Sequence, residues 1–385
     1  MRNVCLLGAS GNIGTQSLDI FAKDKDNFNL VSISVGHKVN KIPAILSSFP
    51  SIEQVTVLEK TDYDRLKEQF PNVTFYYGDK GILEMLEETK ADMVENALVG
   101  FSGLFPSVKA LELSKILCLA NKESLVVGGD FIKKLLKEGK GKLYPIDSEH
   151  VAIAKCFEIA RRKNVNVKQI LITASGGAFR NLKRDELRNV SKSDALNHPT
   201  WAMGSKITID SDTMFNKGFE VIEAAVLFDW DIDDVTILLH DESHLHSALK
   251  LSNGKILGEI NKPDMHGPIA YALYEGNVSY DDVYEVRDVS EFGPFHFHEF
   301  DKERYPAVSL ALEAYKKGTS CRTILNAAVE ECDYLFLEEK IAFADIERYV
   351  MDALDNVTKI SNPTLENIKE IDSKTREYLR KKLGD

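Results

Sequence analysis

An apolar strand that runs straight into a three-glycine turn and then a helix leaves a chain few folds to choose from, and residues 2 to 20, RNVCLLGASGNIGTQSLDI, have that form. Gly8, Gly11 and Gly14 stand at GxxGxxG spacing. Glycines there let the backbone approach a pyrophosphate, whose charge meets the unpaired N–H groups of the helix start. The spacing alone is weak, but its place between strand and helix is the context a dinucleotide fold requires; a packing turn is the plainer alternative. The expected cofactor contacts are Gly8, Ala9, Ser10, Gly11, Asn12, Ile13 and Gly14. A second strand is expected at Leu30–Val35, ending in Gly36, His37 and Lys38. An acid at that point serves a ribose 2′-hydroxyl. His37 and Lys38 suit a 2′-phosphate instead, so NADPH is the expected cofactor; the alternative is two polar residues capping a strand in solvent.

A chain of 385 residues, 44% of them hydrophobic, is long enough for two or three domains with their own cores. Its formal charge of −12 argues against nucleic-acid binding, which needs clustered Lys and Arg, so any anionic ligand must be held by a local arrangement. Cys5, Cys118, Cys156, Cys321 and Cys332 lack CxxC or Cys/His spacing and read as buried thiols in a reducing compartment. Neither a signal peptide nor an apolar run of about 18 residues is visible, so the expectation is a cytoplasmic protein off the membrane.

Strands alternating with helices continue through Val55–Leu58, Asp92–Val99 and Ile116–Ala120, as a parallel sheet demands. Asn121, Lys122 and Glu123 follow the last of these, at the carboxyl end of a strand, where such sheets bind ligands. Lys122 is therefore a candidate for the cofactor and substrate side, unless the segment only caps a surface helix. Next come Asp147, Ser148 and Glu149, before an apolar helix expected at Val151–Ala160. In an extended chain Asp147 and Glu149 point to the same side; either could instead cap the helix.

Residues 169 to 180, QILITASGGAFR, read as a strand ending in a small-residue turn. Its backbone N–H groups and the Ser175 hydroxyl could cradle an anion, or the turn is only a tight corner. Residues 198 to 223 concentrate the most reactive side chains. HPTWAMG has the character of a mobile loop, with Trp201 and Met203 as a water-excluding lid, and KITID alternates like a short strand. A helix then follows, with Asp210 or Ser211 as cap. On it Asn216, Glu220 and Glu223 share a stripe beside Thr213 and Lys217. Ser211, Asn216 and Lys217 are candidate phosphate donors; a surface pair of Lys217 with Glu220 is the plain reading. Carboxylates about 4 Å apart repel by roughly 4 kcal/mol at an effective dielectric near 20. Convergence of Asp147, Glu149 and Glu220 would therefore call for a divalent cation, and an all-oxygen set suits Mg2+ or Mn2+.

VTILLH, LHSALKL and KILGEI, from Val235 to Ile260, read as strands with Asn253-Gly254 as a hairpin turn. They could extend a sheet or build a subunit interface. His240, His244 and His246 are read as structural, because Asp241-Glu242 looks like a turn. Residues 275–300 read as a linker, and helical patterns follow at Glu303–Lys317, Thr319–Glu330, Ala342–Asn356 and Leu365–Leu383.

GASGNIG, NKESLV, IDSEH, ASGGAFR, HPTWAMG and DSDTMFNKGFEVIEA, in this order and at these separations, resemble the 1-deoxy-D-xylulose 5-phosphate reductoisomerase family. The likeness runs from Met1 to the C-terminal helices. It implies an α/β protein with a Rossmann-like parallel sheet in 1–149 and an α+β catalytic domain in 150–274, its lid near 197–206. A linker at 275–300 would lead to a helical bundle in 301–385, and two such chains would form a homodimer. The implied metal ligands are Asp147, Glu149 and Glu220. The substrate phosphate falls to Ser175, Ser211, Asn216 and Lys217, with His198 closing over the substrate and Trp201 covering it. Lys122 and Ser148 would contact the substrate's polar backbone, and Met203 with Gly204 would lie near the nicotinamide. Lys122, Glu149 and Glu220 are the implied catalytic set.

The reaction so implied turns 1-deoxy-D-xylulose 5-phosphate into 2-C-methyl-D-erythritol 4-phosphate for isoprenoid synthesis. A metal-stabilised enediolate, retro-aldol and aldol steps and a hydride from NADPH would accomplish it. The sequence departs from the usual pattern at Ala174, Ala178, Ser205, His266 and the segment His240–His244, without touching an implied metal or phosphate ligand. A semialdehyde dehydrogenase is the rival enzyme, but no cysteine follows a suitable nucleophile pattern. A non-catalytic NADPH-binding regulator is the rival of another class; it would have no use for the full acidic and phosphate set.

Overall fold

The computed structural model describes residues 1–197, 201, 204–277 and 292–384. Two compact units divide the chain. The first comprises Met1–Ser124, Phe131–Asp147 and 264–277; the second comprises Leu125–Asp130, Ser148–Pro263 and 292–384.

In the first unit, seven parallel strands alternate with helices: β1 (Arg2–Leu7), α1 (Asn12–Lys23), β2 (Phe28–Val35), α2 (Ile42–Ser48), β3 (Gln54–Val57), α3 (Lys60–Gln69), β4 (Thr74–Tyr77), α4 (Gly78–Glu88), β5 (Met93–Asn96), α5 (Leu104–Glu112), β6 (Ile116–Leu119), α6 (Lys122–Lys137) and β7 (Lys142–Pro145). Their order in the sheet is β4-β3-β2-β1-β5-β6-β7. Val4, Cys5, Leu6 and Leu7 are all buried, as expected of a central parallel strand covered on both faces. The chain winds outward from β1 to β4 and then returns to lay β5 on the other side of β1. The gap between β1 and β5 is thus the topological switch point, where sheets of this kind bind ligands. Helix His266–Leu273 belongs to this unit because Ile269, Ala270, Ala272 and Leu273 bury themselves in the core around Val4, Leu6, Phe21 and Phe28. This helix, placed in the central segment by the sequence, thus packs in the first unit, and the C-terminal helices fall in the second.

In the second unit, α7 (Ser148–Arg162), β8 (Val167–Ala174), α8 (Lys192–Ala195), α9 (Ser205–Thr213), α10 (Phe215–Leu227), β9 (Val235–His240), β10 (Leu245–Leu251), β11 (Ile256–Ile260) and β12 (Phe297–Glu299) precede four helices, Pro306–Lys317, Thr319–Leu337, Ile346–Asn356 and Leu365–Leu383. The sheet order is β11-β10-β8-β9-β12, with β8 and β9 parallel and the other pairs antiparallel. Long helix Thr319–Leu337 is buried along almost its whole length, so it forms the axis on which the other C-terminal helices pack. Among the described residues no helix is long and apolar enough to cross a membrane, and all five cysteines are free and buried.

Four local expectations are corrected. KITID lies in α9, not in a strand: Lys206, Thr208, Ile209, Asp210, Asp212 and Thr213 are all buried, so the alternation did not mark one apolar face. The i,i+4 pair of Lys206 with Asp210, 2.7 Å apart, supports the helix instead. Neither Asp210 nor Ser211 caps the next helix, because both lie inside α9, and the break falls at Met214 with φ of 69°. Ser148 already opens α7, so Asp147 and Glu149 are not neighbours along an extended strand. Part of the expected linker is structural: β12 pairs with β9 through Phe297 and His240. The linker's residues 278–291 lie outside the described residues.

Candidate active site

The glycine turn leaves β1 at the switch point. Gly8 has φ of +86°, and a Cβ there would stand 2.6 Å from the Ala97 carbonyl oxygen; a Cβ on Gly14 would stand 2.3 Å from the Gly8 oxygen. Only glycine fits these two positions. Gly11 is less confined, since an added Cβ would meet the Gly8 oxygen alone, at 3.2 Å. Its role is to precede α1, which starts at Asn12. The Gly8 N–H donates to Ser34 Oγ at 2.9 Å, Ala9 and Ser10 are buried, and Ile13 packs on the core. Gly36, His37 and Lys38 are exposed beyond the end of β2. Lys41, which the sequence reading passed over, donates from Nζ to the Ser10 carbonyl at 3.2 Å and brings a cation to the turn.

At the carboxyl ends of β6 and β7, Lys122 Nζ and Asp147 Oδ2 form a buried ion pair at 2.6 Å. Asn121 caps α6 by accepting the Ser124 N–H at 3.0 Å, and its amide donates to the Leu98 and Gly100 carbonyls and to Glu123 Oε2. Its side chain thus fixes the loop that presents Lys122.

The second unit gathers the remaining acids. Ser148 Oγ donates to Glu149 Oε2 at 2.5 Å in the first turn of α7. From α10, the Lys217 ammonium reaches Glu149 Oε1 at 2.9 Å and also contacts Glu220 Oε2. Carboxylate oxygens of Glu149 and Glu220 lie within 4.8 Å of each other. Burial pulls the Lys217 pKa down, but the two carboxylates outweigh it and hold the ammonium above its ordinary value. Asn216 donates to Glu220 Oε1 at 2.6 Å, so the expected stripe is real for these two residues. Glu223 leaves it: its Oε2 lies 3.4 Å from Nδ1 of fully buried His150, whose Nε2 binds the Glu220 carbonyl at 2.9 Å. Because a carbonyl only accepts, His150 Nε2 carries a proton. Two acids sharing one ammonium form a net-negative, all-oxygen donor set, and Asp147 stands two residues from Glu149 in the chain. This donor chemistry fits Mg2+ or Mn2+.

The turn after β8 is pinned at three points. Arg180 Nη1 donates to the Ser175 carbonyl at 3.4 Å and to the Asp241 carbonyl at 3.0 Å. Tyr305 donates its hydroxyl to the Gly176 carbonyl at 3.3 Å, and Asp212 Oδ1 accepts the Ala178 N–H at 2.6 Å. A Cβ on Gly177 would stand 2.7 Å from that Asp212 oxygen and 3.1 Å from the Ser211 carbonyl, so the turn lies directly on the end of α9. Gly177, two residues beyond Ser175, thereby abuts Ser211, whereas Asn216 and Lys217 are engaged by carboxylates. Burial pushes the Asp212 carboxyl up to about 7, against the lowering effect of the Ala178 N–H. Sequence reading missed Asp212, Arg180 and Tyr305; the acid in DSDT was the one visible hint. The Trp201 ring packs edge-on against His246, 6.0 Å between centroids, and Gly204 precedes α9. His198 and Met203 lie outside the described residues.

Family models described as 1-deoxy-D-xylulose 5-phosphate reductoisomerase, its C-terminal domain, and DXP reductoisomerase C-terminal domain match residues 4–129, 143–228 and 260–378. A Geobacillus protein named 1-deoxy-D-xylulose 5-phosphate reductoisomerase is 42% identical over 99% of each chain. A Listeria innocua protein of the same name is 40% identical over 99% of each. Among solved structures, a DOX-P reductoisomerase in complex with NADPH, fosmidomycin and magnesium superposes with a TM-score of 0.91 at 31% identity, covering 100% of this chain and 98% of the other. The Zymomonas mobilis 1-deoxy-D-xylulose 5-phosphate reductoisomerase in complex with NADPH gives 0.89 at 33% identity, with 99% of each chain covered.

Proposed function

Because the chain belongs to the 1-deoxy-D-xylulose 5-phosphate reductoisomerase family, we propose that it performs the reaction of that name. It is an NADP-dependent oxidoreductase that rearranges and reduces 1-deoxy-D-xylulose 5-phosphate to 2-C-methyl-D-erythritol 4-phosphate in non-mevalonate isoprenoid synthesis, with NADPH and a divalent cation. The observation that carries the reading is the pair of carboxylates, half-buried Glu149 and buried Glu220, gathered on Lys217.

Asp147, Glu149 and Glu220 are the residues that would hold Mg2+ or Mn2+. When bound, the cation supplies positive charge that polarises substrate oxygens, and NADPH supplies the hydride. Lys217 offsets part of the charge of the two glutamates until a cation is present, and then serves the substrate phosphate with Asn216, Ser175 and Ser211. Asn216 fixes the Glu220 carboxylate across one helical turn. Lys122 and Ser148, held beside Asp147 and Glu149, orient the sugar's oxygens. The segment from His198 to Gly204 closes over the substrate, with Trp201 excluding water and Met203 beside the nicotinamide; binding the remote phosphate supplies energy for that closure. The turn Gly8–Gly14 takes the pyrophosphate, and His37 with Lys38 takes the 2′-phosphate, in reach of the sheet's switch point.

The working form is a homodimer in the cytoplasm, divided functionally into a cofactor domain, a catalytic domain and a helical domain. In support of the dimer, edge strand β11 exposes Ile256 and Ile260, an apolar border suited to a second copy. The test is direct: protein, NADPH, Mg2+ and 1-deoxy-D-xylulose 5-phosphate are mixed and NADPH absorbance is followed. Consumption of NADPH that requires both metal and sugar phosphate is expected. NADPH binding without turnover would favour a non-catalytic regulator that retained the fold.

A further inference from the structure

Asp212 is almost fully buried at the end of α9, 1% exposed. One of its oxygens holds the Ala178 N–H at 2.6 Å. The other, Oδ2, has no hydrogen-bond partner among the described residues. A neutral carboxyl tolerates that arrangement; a carboxylate with one oxygen unsatisfied in a dry site is costly.

We infer that Asp212 is a positioning residue of the phosphate turn, locking the Ser175–Ala178 backbone in place and setting, by its own charge, how strongly that turn holds an anion. The inference rests on the proposed assignment of Ser175 and Ser211 to the substrate phosphate. Geometry couples the two. Asp212 adjoins Ser211, and the Gly177 Cα faces both residues closely enough that a single added carbon would clash with the Asp212 carboxylate. The hold needs a backbone N–H at position 178, which a proline would not offer.

The surrounding groups leave the proton on Asp212 to decide the local charge. Tyr305, before helix Pro306–Lys317, stands near Asp212 with Arg180, Arg304 and Asp301 around it. Arg180 and Arg304 are engaged by backbone carbonyls. Elsewhere on α9, Lys206 pairs with Asp210 and faces Asp333 of helix Thr319–Leu337. On α10, Lys217 is committed to Glu149 and Glu220. Protonated, Asp212 holds the turn without adding charge; ionised, it places a negative charge against the anion's cradle.

Inorganic phosphate is the probe, with its dissociation constant measured by calorimetry at pH 6 and pH 8.5 on the full chain, alongside KM and kcat for the sugar phosphate. Asp212→Asn keeps the acceptor for Ala178 and removes the charge, while Asp212→Ala removes both. Between the two pH values, phosphate binding should weaken about tenfold more in the wild type than in Asp212→Asn, a difference of about 1.4 kcal/mol. Asp212→Ala should bind weakly at both pH values, and KM should move more than kcat throughout. Were Asp212→Asn to follow the wild-type profile while Ser175→Ala still weakened phosphate binding, the inference would fall and the turn's assignment would stand. Phosphate binding untouched in Ser175→Ala would remove the assignment and the inference together.

Discussion

The Lys217 ammonium on α10 stands 2.9 Å from Glu149 Oε1 on α7, and both groups are largely shut off from solvent. Removing one partner of a buried pair leaves an uncompensated charge, which costs about 3–5 kcal/mol. Lys217→Ala should therefore lower the melting temperature of metal-free protein, and Mg2+ should restore more of the loss than it adds to the wild type. Equal Mg2+ shifts in both proteins would separate Lys217 from the cation site.

Glu220→Gln preserves shape and removes a carboxylate. The fold should survive, as judged by circular dichroism, while turnover falls by about 100-fold or more and the Mg2+ concentration for half-activity rises. Undiminished turnover at low Mg2+ would take Glu220 out of the metal site.

Lys38 is exposed beside His37 beyond β2. Lys38→Glu should weaken NADPH by about tenfold and leave NADH much less affected, since only NADPH carries the 2′-phosphate that the new acid repels. Cofactor titration by fluorescence decides this: equal weakening of both would reject a phosphate contact.

Glu95 on β5 is fully buried, with Oε1 against Ser17 Oγ and Oε2 without a partner among the described residues. Burial pushes its pKa from 4.5 up to about 8, despite the Ser17 hydroxyl, which lowers it. A carboxyl raised on folding gives stability that is fully present below the unfolded pKa and is lost as pH rises through the folded one. The first unit should thus weaken between about pH 4.5 and pH 8, by on the order of 5 kcal/mol. Glu95→Gln should flatten that slope in denaturant titrations, and an unchanged slope would show that Glu95 ionises at no cost.

The elements legible in advance were those with a single dominant cause. Val4–Leu7 and the glycine turn announced β1 and α1 because burial on both faces and close backbone approach each demand one residue type. Two strands were hidden: Thr74–Tyr77 and Lys142–Pro145 are the edges of the first sheet and only partly buried, so neither reads as a continuous apolar run. Helix α9 misled because its polar residues are buried too, so alternation carried no information about facing. In the site, motif order pointed to Glu149, Lys217 and Glu220, which the structure brings together. It gave no view of Asp212, whose partner Ala178 is 34 residues away, nor of Tyr305, which arrives from beyond the segment 278–291.

Met214 adopts φ of 69°, a left-handed conformation uncommon for a side chain of its size. One residue of that hand turns what would have been a continuous helix from Ser205 to Leu227 into two, and so creates a second helix start at Phe215. A helix start carries a fractional positive charge. Asn216 and Lys217 occupy its first turn. A single backbone torsion, invisible in the motif, thereby gives the buried α10 a dipole end of its own, which no added lysine would reproduce.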